Sequence, residues 1–318
     1  TVCFRLTSMW SEQYLRDPQF QSLLLSKVAD GWKQIILFHG LVISSYSGTT
    51  TIPNDRRFFD SRIEGTRLSN NHEIIKVPSI PTGIEVLDIV NSVNIKDVKS
   101  LSHLSALSFY NAAALEDITP LQNIPNLAFH SCSSISDFSM LNGSKQKRLS
   151  ILLCPQLTNV SKFQGIRYLL LWNCEGVRDV SSLYGVYDLS ILHCPSITDI
   201  SRLGGHHRLS INHLPTNVHG FHCFQGVPLV ELRSVNIEDV SVLKDAKSII
   251  LENCYLIQDI SPIKDVKKVH IDNCTYIKNP SVLGKGVYDL SLTDVPFKRE
   301  DLQQLKNSRL KLSFKRFI

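Results

Sequence analysis

From Leu87 onward the chain repeats one pattern of apolar and polar positions, and before Pro81 that pattern is absent. The frame recurs in LSILLCPQLTNVSKF from Leu149, LLLWNCEGVRDVSSL from Leu169, LSILHCPSITDISRL from Leu189 and IILENCYLIQDISPI from Ile249. It condenses to L-x-L-x-x-C-x-x-I-x-D-[IV]-S-x-L. Its starts fall at Leu87, Leu107, Leu127, Leu149, Leu169, Leu189, Leu209, Val230, Ile249, Val269, Leu290 and, weakly, Leu310, at intervals of 19 to 22 residues. A fixed period of that size marks stacked supersecondary units. Each L-x-L predicts a short strand with two apolar side chains inward and the intervening ones outward. A lone coil cannot bury its apolar edge, so neighbours must share one continuous core. After a strand and two turns, a 20-residue coil has too little chain left for a full α-helix, so its convex side is expected to be extended or 3₁₀.

The first eighty residues are different. Over residues 8–38, Trp10, Tyr14, Leu15, Phe20, Leu23, Leu24 and Val28 recur at helical spacing, punctuated by Asp17-Pro18 and Gly31. Two short helices and then a strand are expected, shielding the first coil as a terminal cap. Residues 41–83, with Ser44-Ser45, Ser47-Gly48-Thr49-Thr50 and Pro53-Asn54-Asp55, read as a loop-rich connection with one or two edge strands. The organisation expected is therefore a helical cap over 1–40, a connection over 41–83 and a solenoid over 84–318.

The consensus resembles the leucine-rich repeat over roughly residues 84–318. Its D-[IV]-S-x-L endings are similar to the short repeats of internalin-type proteins, and Cys194 to Asp199, C-x-x-I-T-D, resembles the cysteine-containing repeats of F-box proteins, which are longer and carry a helix. The resemblance implies an α/β or mainly β horseshoe of about twelve short coils, acting as a non-catalytic protein-binding module. Val2 to Trp10, V-C-F-R-L-T-x-x-W, followed by Y-L-R-D-P-Q-F from Tyr14, resembles the back half of an F-box. That implies substrate recognition in an F-box-type ubiquitin ligase through a Skp1-type adaptor. A scaffold subunit held in a large assembly is the alternative.

Composition narrows the partner. The chain is 43% hydrophobic and 20% charged, which is globular, with no span long enough for a membrane. The net charge of +5 is concentrated in residues 298–318, where Lys298, Arg299, Lys306, Arg309, Lys311, Lys315 and Arg316 face only Glu300 and Asp301. Nucleic acid is therefore not expected to bind except through this basic C-terminus, whose charges also serve to keep a last strand edge soluble.

The repeating polar residues look chemical only when read without the period. Cys132, Cys154, Cys174, Cys194, Cys254 and Cys274 occupy one slot per coil, where a small apolar side chain points inward, so they are read as packing. Nothing resembling a secretory signal precedes them, and a reducing cytoplasmic or nuclear compartment is expected. Asp117, Asp137, Asp179, Asp199, Asp239 and Asp259, with Asn159 and Asn279, precede Ile/Val-Ser or its equivalent and are read as turn caps accepting backbone N–H bonds. Phosphate-binding glycine loops, the G-x-S-x-G elbow and H-E-x-x-H are all absent, so no catalytic residue and no cofactor are assigned.

Two sets of residues remain as candidates. Outward positions on the strands give Tyr110, His130, Leu152, Leu170, Trp172, Leu192, His193 and Arg233 as a partner-binding surface on the concave face, with Leu152, Leu153, Leu170, Trp172 and Leu192 as an exposed apolar patch. Five of the eleven histidines fall between His206 and His222, where the repeat loses its Cys and Asp. His213, His219, His222 and Cys223 are the only set there that soft-metal chemistry could use, but their spacing matches no strong zinc motif.

Overall fold

The structure, a computed structural model, describes residues 75–77, 85–141, 145–284 and 286–296, together with short strands outside these ranges. The strands are β1 (Phe4–Arg5), β2 (Ile36–Phe38), β3 (Leu41–Ile43), β4 (Ser45–Ser47), β5 (Thr66–Ser69), β6 (Val86–Val90), β7 (Ala106–Tyr110), β8 (Asn126–His130) and β9 (Arg148–Leu152). They continue with β10 (Tyr168–Trp172), β11 (Asp188–Leu192), β12 (Arg208–Asn212), β13 (Leu229–Arg233), β14 (Ser248–Glu252), β15 (Lys268–Asp272), β16 (Asp289–Thr293) and β17 (Arg309–Ser313). The chain forms two compact units, one of residues 1–141 and 145–156, the other of residues 142–144 and 157–318.

In the first unit β4 to β9 pair in parallel in chain order, with Leu87, Leu107, Leu127 and Leu149 in register. A separate small sheet pairs β1 with β2 in parallel and β2 with β3 antiparallel, and β3 lies against β5 and β6. In the second unit β10 to β17 pair in parallel, with Leu169, Leu189, Leu209, Val230, Ile249, Val269, Leu290 and Leu310 in register. Every sequence-derived start is thus a core-facing strand residue, and the fold is a leucine-rich-repeat solenoid. The helices expected over 8–35 and the F-box-like segment lie outside the described residues.

One coil shows why the sequence closes this way. Leu169 and Leu171 point inward from β10, and Cys174, Val177, Val180, Leu183 and Val186 follow them into the core, each no more than 2% exposed. The spacing changes from two to three at the end of the strand. Three is the period of a 3₁₀ path, and 3₁₀ turns at Ser161–Phe163, Ser181–Leu183, Ser241–Leu243 and Ser261–Ile263 carry the convex side of this unit. Among the described residues the non-strand elements are all of this kind.

Each strand leaves the sheet through a left-handed residue. Asn91, Asn111, Ser131 and Leu153 in the first unit, and Asn173, His193, His213, Ser234, Asn253, Asn273 and Asp294 in the second, have φ between 47° and 56°. Asn tolerates this region best among residues with a Cβ, which explains its frequency in the column. Asn side chains also bond along the column: Asn111 Nδ2 donates to Asn91 Oδ1 at 3.2 Å and Asn273 Nδ2 to Asn253 Oδ1 at 2.7 Å.

Candidate functional site

The residues that recur most regularly are structural. Cys132, Cys154, Cys174, Cys194, Cys254 and Cys274 are fully buried free thiols. Each Sγ lies 3.3 to 3.6 Å from the carbonyl two residues before it, as in Cys154 to Leu152 O and Cys174 to Trp172 O. Ser92, in the same slot of the first coil, donates its hydroxyl to Val90 O in the same way, while Ala112, Leu214, Val235 and Val295 fill the slot with hydrocarbon alone. A position that accepts Ser, Ala, Val, Leu and Cys is a packing position. Burial pushes the Cys154 thiol up to about 11 and that of Cys223 to about 12, so neither is a nucleophile near neutral pH.

The carboxylate column is equally local. Oδ1 of Asp117, Asp137, Asp179, Asp199, Asp239 and Asp259 accepts the backbone N–H two residues on, at 2.8 to 2.9 Å, and Asn159 does the same for Ser161. Hydrogen bonds from the capped Ser or Thr hold these carboxyls below the usual carboxylate range.

The metal candidates do not converge. His213 follows β12 in the left-handed position and stacks on His193, centroids 4.3 Å apart, with its Nδ1 2.5 Å from Asn212 Oδ1. His219 is exposed on a turn beside Asp199, with Nδ1 to Oδ1 at 3.4 Å, and Cys223 is buried within the 3₁₀ turn Phe221–Phe224 that also carries His222. Among the described residues no three His, Cys, Asp or Glu side chains are placed to share a metal ion.

The outward strand positions form two columns in each unit. In the first unit the middle column is Asp88, Ser108, Ala128 and Ser150, and the end column is Val90, Tyr110, His130 and Leu152. Asp88 and Ser108 are completely buried, so this part of the face is covered. Tyr110 meets His130 edge-on, centroids 5.6 Å apart, and burial lowers His130 from 6.5 to about 4, which keeps the ring neutral. Leu152 is 3% exposed.

In the second unit the end column runs Trp172, Leu192, Asn212, Arg233, Glu252, Asp272 and Thr293. Trp172 is only 8% exposed, and Leu170 and Leu192 are half-buried. The freely exposed apolar patch expected from alternation is therefore corrected: parallel neighbours stand about 4.8 Å apart and side chains of this size cover one another. His193 is corrected too. It lies one residue beyond the strand, in the left-handed turn, and is buried rather than projecting from the sheet. Arg233 does project outward, but it is not free: Nη2 meets Glu231 Oε1 at 2.5 Å and Nη1 meets Glu252 Oε2 at 2.6 Å, while Arg208 Nη2 reaches Glu231 Oε2 at 2.7 Å. The sequence gave no sign of this ion-pair line, because its members are about twenty residues apart and become neighbours only through the register.

No protein-family profile and no curated protein matches the chain. Among solved structures it is similar to an internalin, InlF, from Listeria monocytogenes, with 21% identity over 79% of this chain and 87% of that one and a TM-score of 0.44. It is also similar to internalin C2 of the same organism, at 18% identity over 74% and 84% with a TM-score of 0.31. A third is the functional domain of InlJ, described as including a cysteine ladder, at 15% identity over 71% and 52% with a TM-score of 0.31. Similarity of this degree carries no inference about what this chain binds. The assignment to leucine-rich repeats rests on the strand register and the coil pattern. No helix among the described residues is long and apolar enough to cross a membrane.

Proposed function

We propose that the chain is a non-catalytic protein–protein interaction module whose outward strand face receives a partner protein. The observation that carries this reading is the outward face of the second unit, where Leu170, Trp172, Leu192 and the ion-paired Arg233 are held in register on a rigid parallel sheet. Large aromatic and guanidinium groups already ordered before binding lose little entropy when a partner arrives. The opposite, convex side is made of turns whose polar groups are used up in capping. A photo-crosslinking residue placed at Ser190 on β11 is expected to give a specific partner adduct, and one at Lys162 on a convex turn is not. Adducts from Lys162 with none from Ser190 would contradict the reading.

The finer reading, substrate recognition in an F-box-type ubiquitin ligase, is supported by the Val2–Phe20 resemblance. Recovery of the chain with a Skp1-type adaptor and a cullin tests it, whereas recovery at fixed stoichiometry within a large particle favours the scaffold reading. The basic stretch 298–318 is proposed to serve an acidic or phosphate-bearing partner if it contacts one at all. Its backbone enters the sheet as β17.

A further inference from the structure

The flank of the second unit, where chain enters the strands, carries a group that the outward face does not use. Arg167, Tyr187 and His207 each immediately precede a strand, twenty residues apart, and they stack. The Arg167 guanidinium lies 5.0 Å from the centroid of Tyr187 and 5.5 Å from that of Tyr168. Tyr187 in turn stacks on His207, centroids 4.6 Å apart and planes 10° from parallel, and meets Tyr168 edge-on at 6.3 Å. Arg167 and Tyr187 are exposed, Tyr187 at 41%.

The ionic state of Arg167 is what distinguishes it. Arg208 and Arg233 on the outward face are neutralised by Glu231 and Glu252. Arg167 has no hydrogen bond or ion pair among the described residues, so its planar face is held by rings and its N–H edge is open. A guanidinium fixed by stacking and left with five unused donors is arranged to take a planar two-oxygen acceptor side-on. The surrounding charge limits which one. Asp188 begins β11 immediately after Tyr187, and Arg208, the cation in register with it on β12, already serves Glu231. A polyanion needs several cations in a line and would meet Asp188, whereas a single carboxylate needs only one fork.

We propose that Arg167, on its Tyr168–Tyr187–His207 platform, is a docking point for an Asp or Glu side chain of a partner protein segment lying along this flank. The proposal rests on the reading of the chain as a protein-interaction module and adds a second contact surface to it, with a defined partner chemistry. Recognition divides between the bidentate contact to the Arg167 edge and van der Waals contact with the exposed Tyr187 ring.

The test uses the full chain, isotope-labelled, titrated at low salt with the peptide acetyl-Glu-Glu-Glu-Glu-amide, and with its Gln counterpart and an eight-residue oligothymidylate as controls. The tetraglutamate peptide is expected to give saturable shifts of the Arg167 Nε–H and Tyr187 ring resonances, and the Gln peptide none. Arg167→Lys keeps the charge but loses the planar fork and should weaken binding about threefold to fivefold, as should Tyr187→Leu. Both positions are exposed, and unchanged melting curves exclude a folding defect. No shift at Arg167, equal binding by Arg167→Lys, or tighter binding of the oligothymidylate at the same resonances would overturn the assignment. A partner that still crosslinks through Ser190 but ignores Arg167→Lys would remove this site and leave the interaction-module reading standing. Loss of the Ser190 adduct with intact tetraglutamate binding would do the reverse.

Discussion

Two neighbouring coils close the same turn by different means. The coils beginning at Leu189 and Leu209 share one register, Leu189 beside Leu209 and Ile191 beside Ile211. In the first, Cys194 fills the interior slot and Asp199 Oδ1 accepts the Ser201 N–H at 2.8 Å. In the second, Leu214 fills the slot, the coil is one residue longer before Val230, and His219 stands beside Asp199. That coil is tied by backbone instead: His219 N–H donates to Thr198 O at 2.9 Å, and Ile200 N–H donates to His219 O at 3.0 Å. Gly220, with φ 97°, then lets the chain press against Ser201. The Asp and Cys of the frame are thus one solution to closing a coil, and a backbone bridge with a glycine is another.

The sharpest way to break this comparison is Gly220→Ala. A Cβ there would overlap the Ser201 backbone, in a left-handed conformation that L-residues resist, and the loss should be about 3 kcal/mol by urea denaturation. Next is Asp239→Ala, which removes the bond to Ser241 N–H and should cost about 1 kcal/mol. Asp239→Asn should be nearly neutral, because Asn159 already makes this bond. His219→Ala should also be nearly neutral, because its coil is held by main-chain atoms. If His219→Ala costs as much as Asp239→Ala, the two closures do not differ. Leu153→Asn is expected to stabilise by about 1 kcal/mol, since leucine occupies a left-handed position that asparagine holds in neighbouring coils.

Acid should act in two stages. His130 is held neutral by burial, titrating at about 4 instead of 6.5, so the unfolded chain takes up its proton first and stability falls as pH drops from 6.5 toward 4. The capping carboxylates titrate below their usual 3.8, so their contribution is present above that value and is lost as pH falls further. His130→Phe should flatten the upper stage and leave the lower one in place. An unchanged upper stage in that variant would show that another group is responsible.

The period made most of this legible. Alternation at each L-x-L placed every strand, and the recurrence of Cys and Asp at one slot per coil identified them as packing and capping groups before any contact was known. What the sequence concealed depends on register. The Arg208–Glu231–Arg233–Glu252 line and the Arg167–Tyr187–His207 stack join residues from different coils, visible only once coils are aligned residue for residue. Leu152 and Trp172 were expected to be open because alternation gives the direction of a side chain but not what stands beside it. His193 was assigned to the sheet because alternation does not show where the strand ends, and the left-handed residue lies just past that point.

The central claim is that the repeating residues hold the coils together and leave binding to the surfaces between them. Native alkylation with iodoacetamide followed by mass spectrometry tests it most directly. Cys132, Cys154, Cys174, Cys194, Cys223, Cys254 and Cys274 should all be protected in the folded chain and all react after denaturation without reductant. Rapid native labelling within this set, or a disulfide joining any two of its members, would contradict the account.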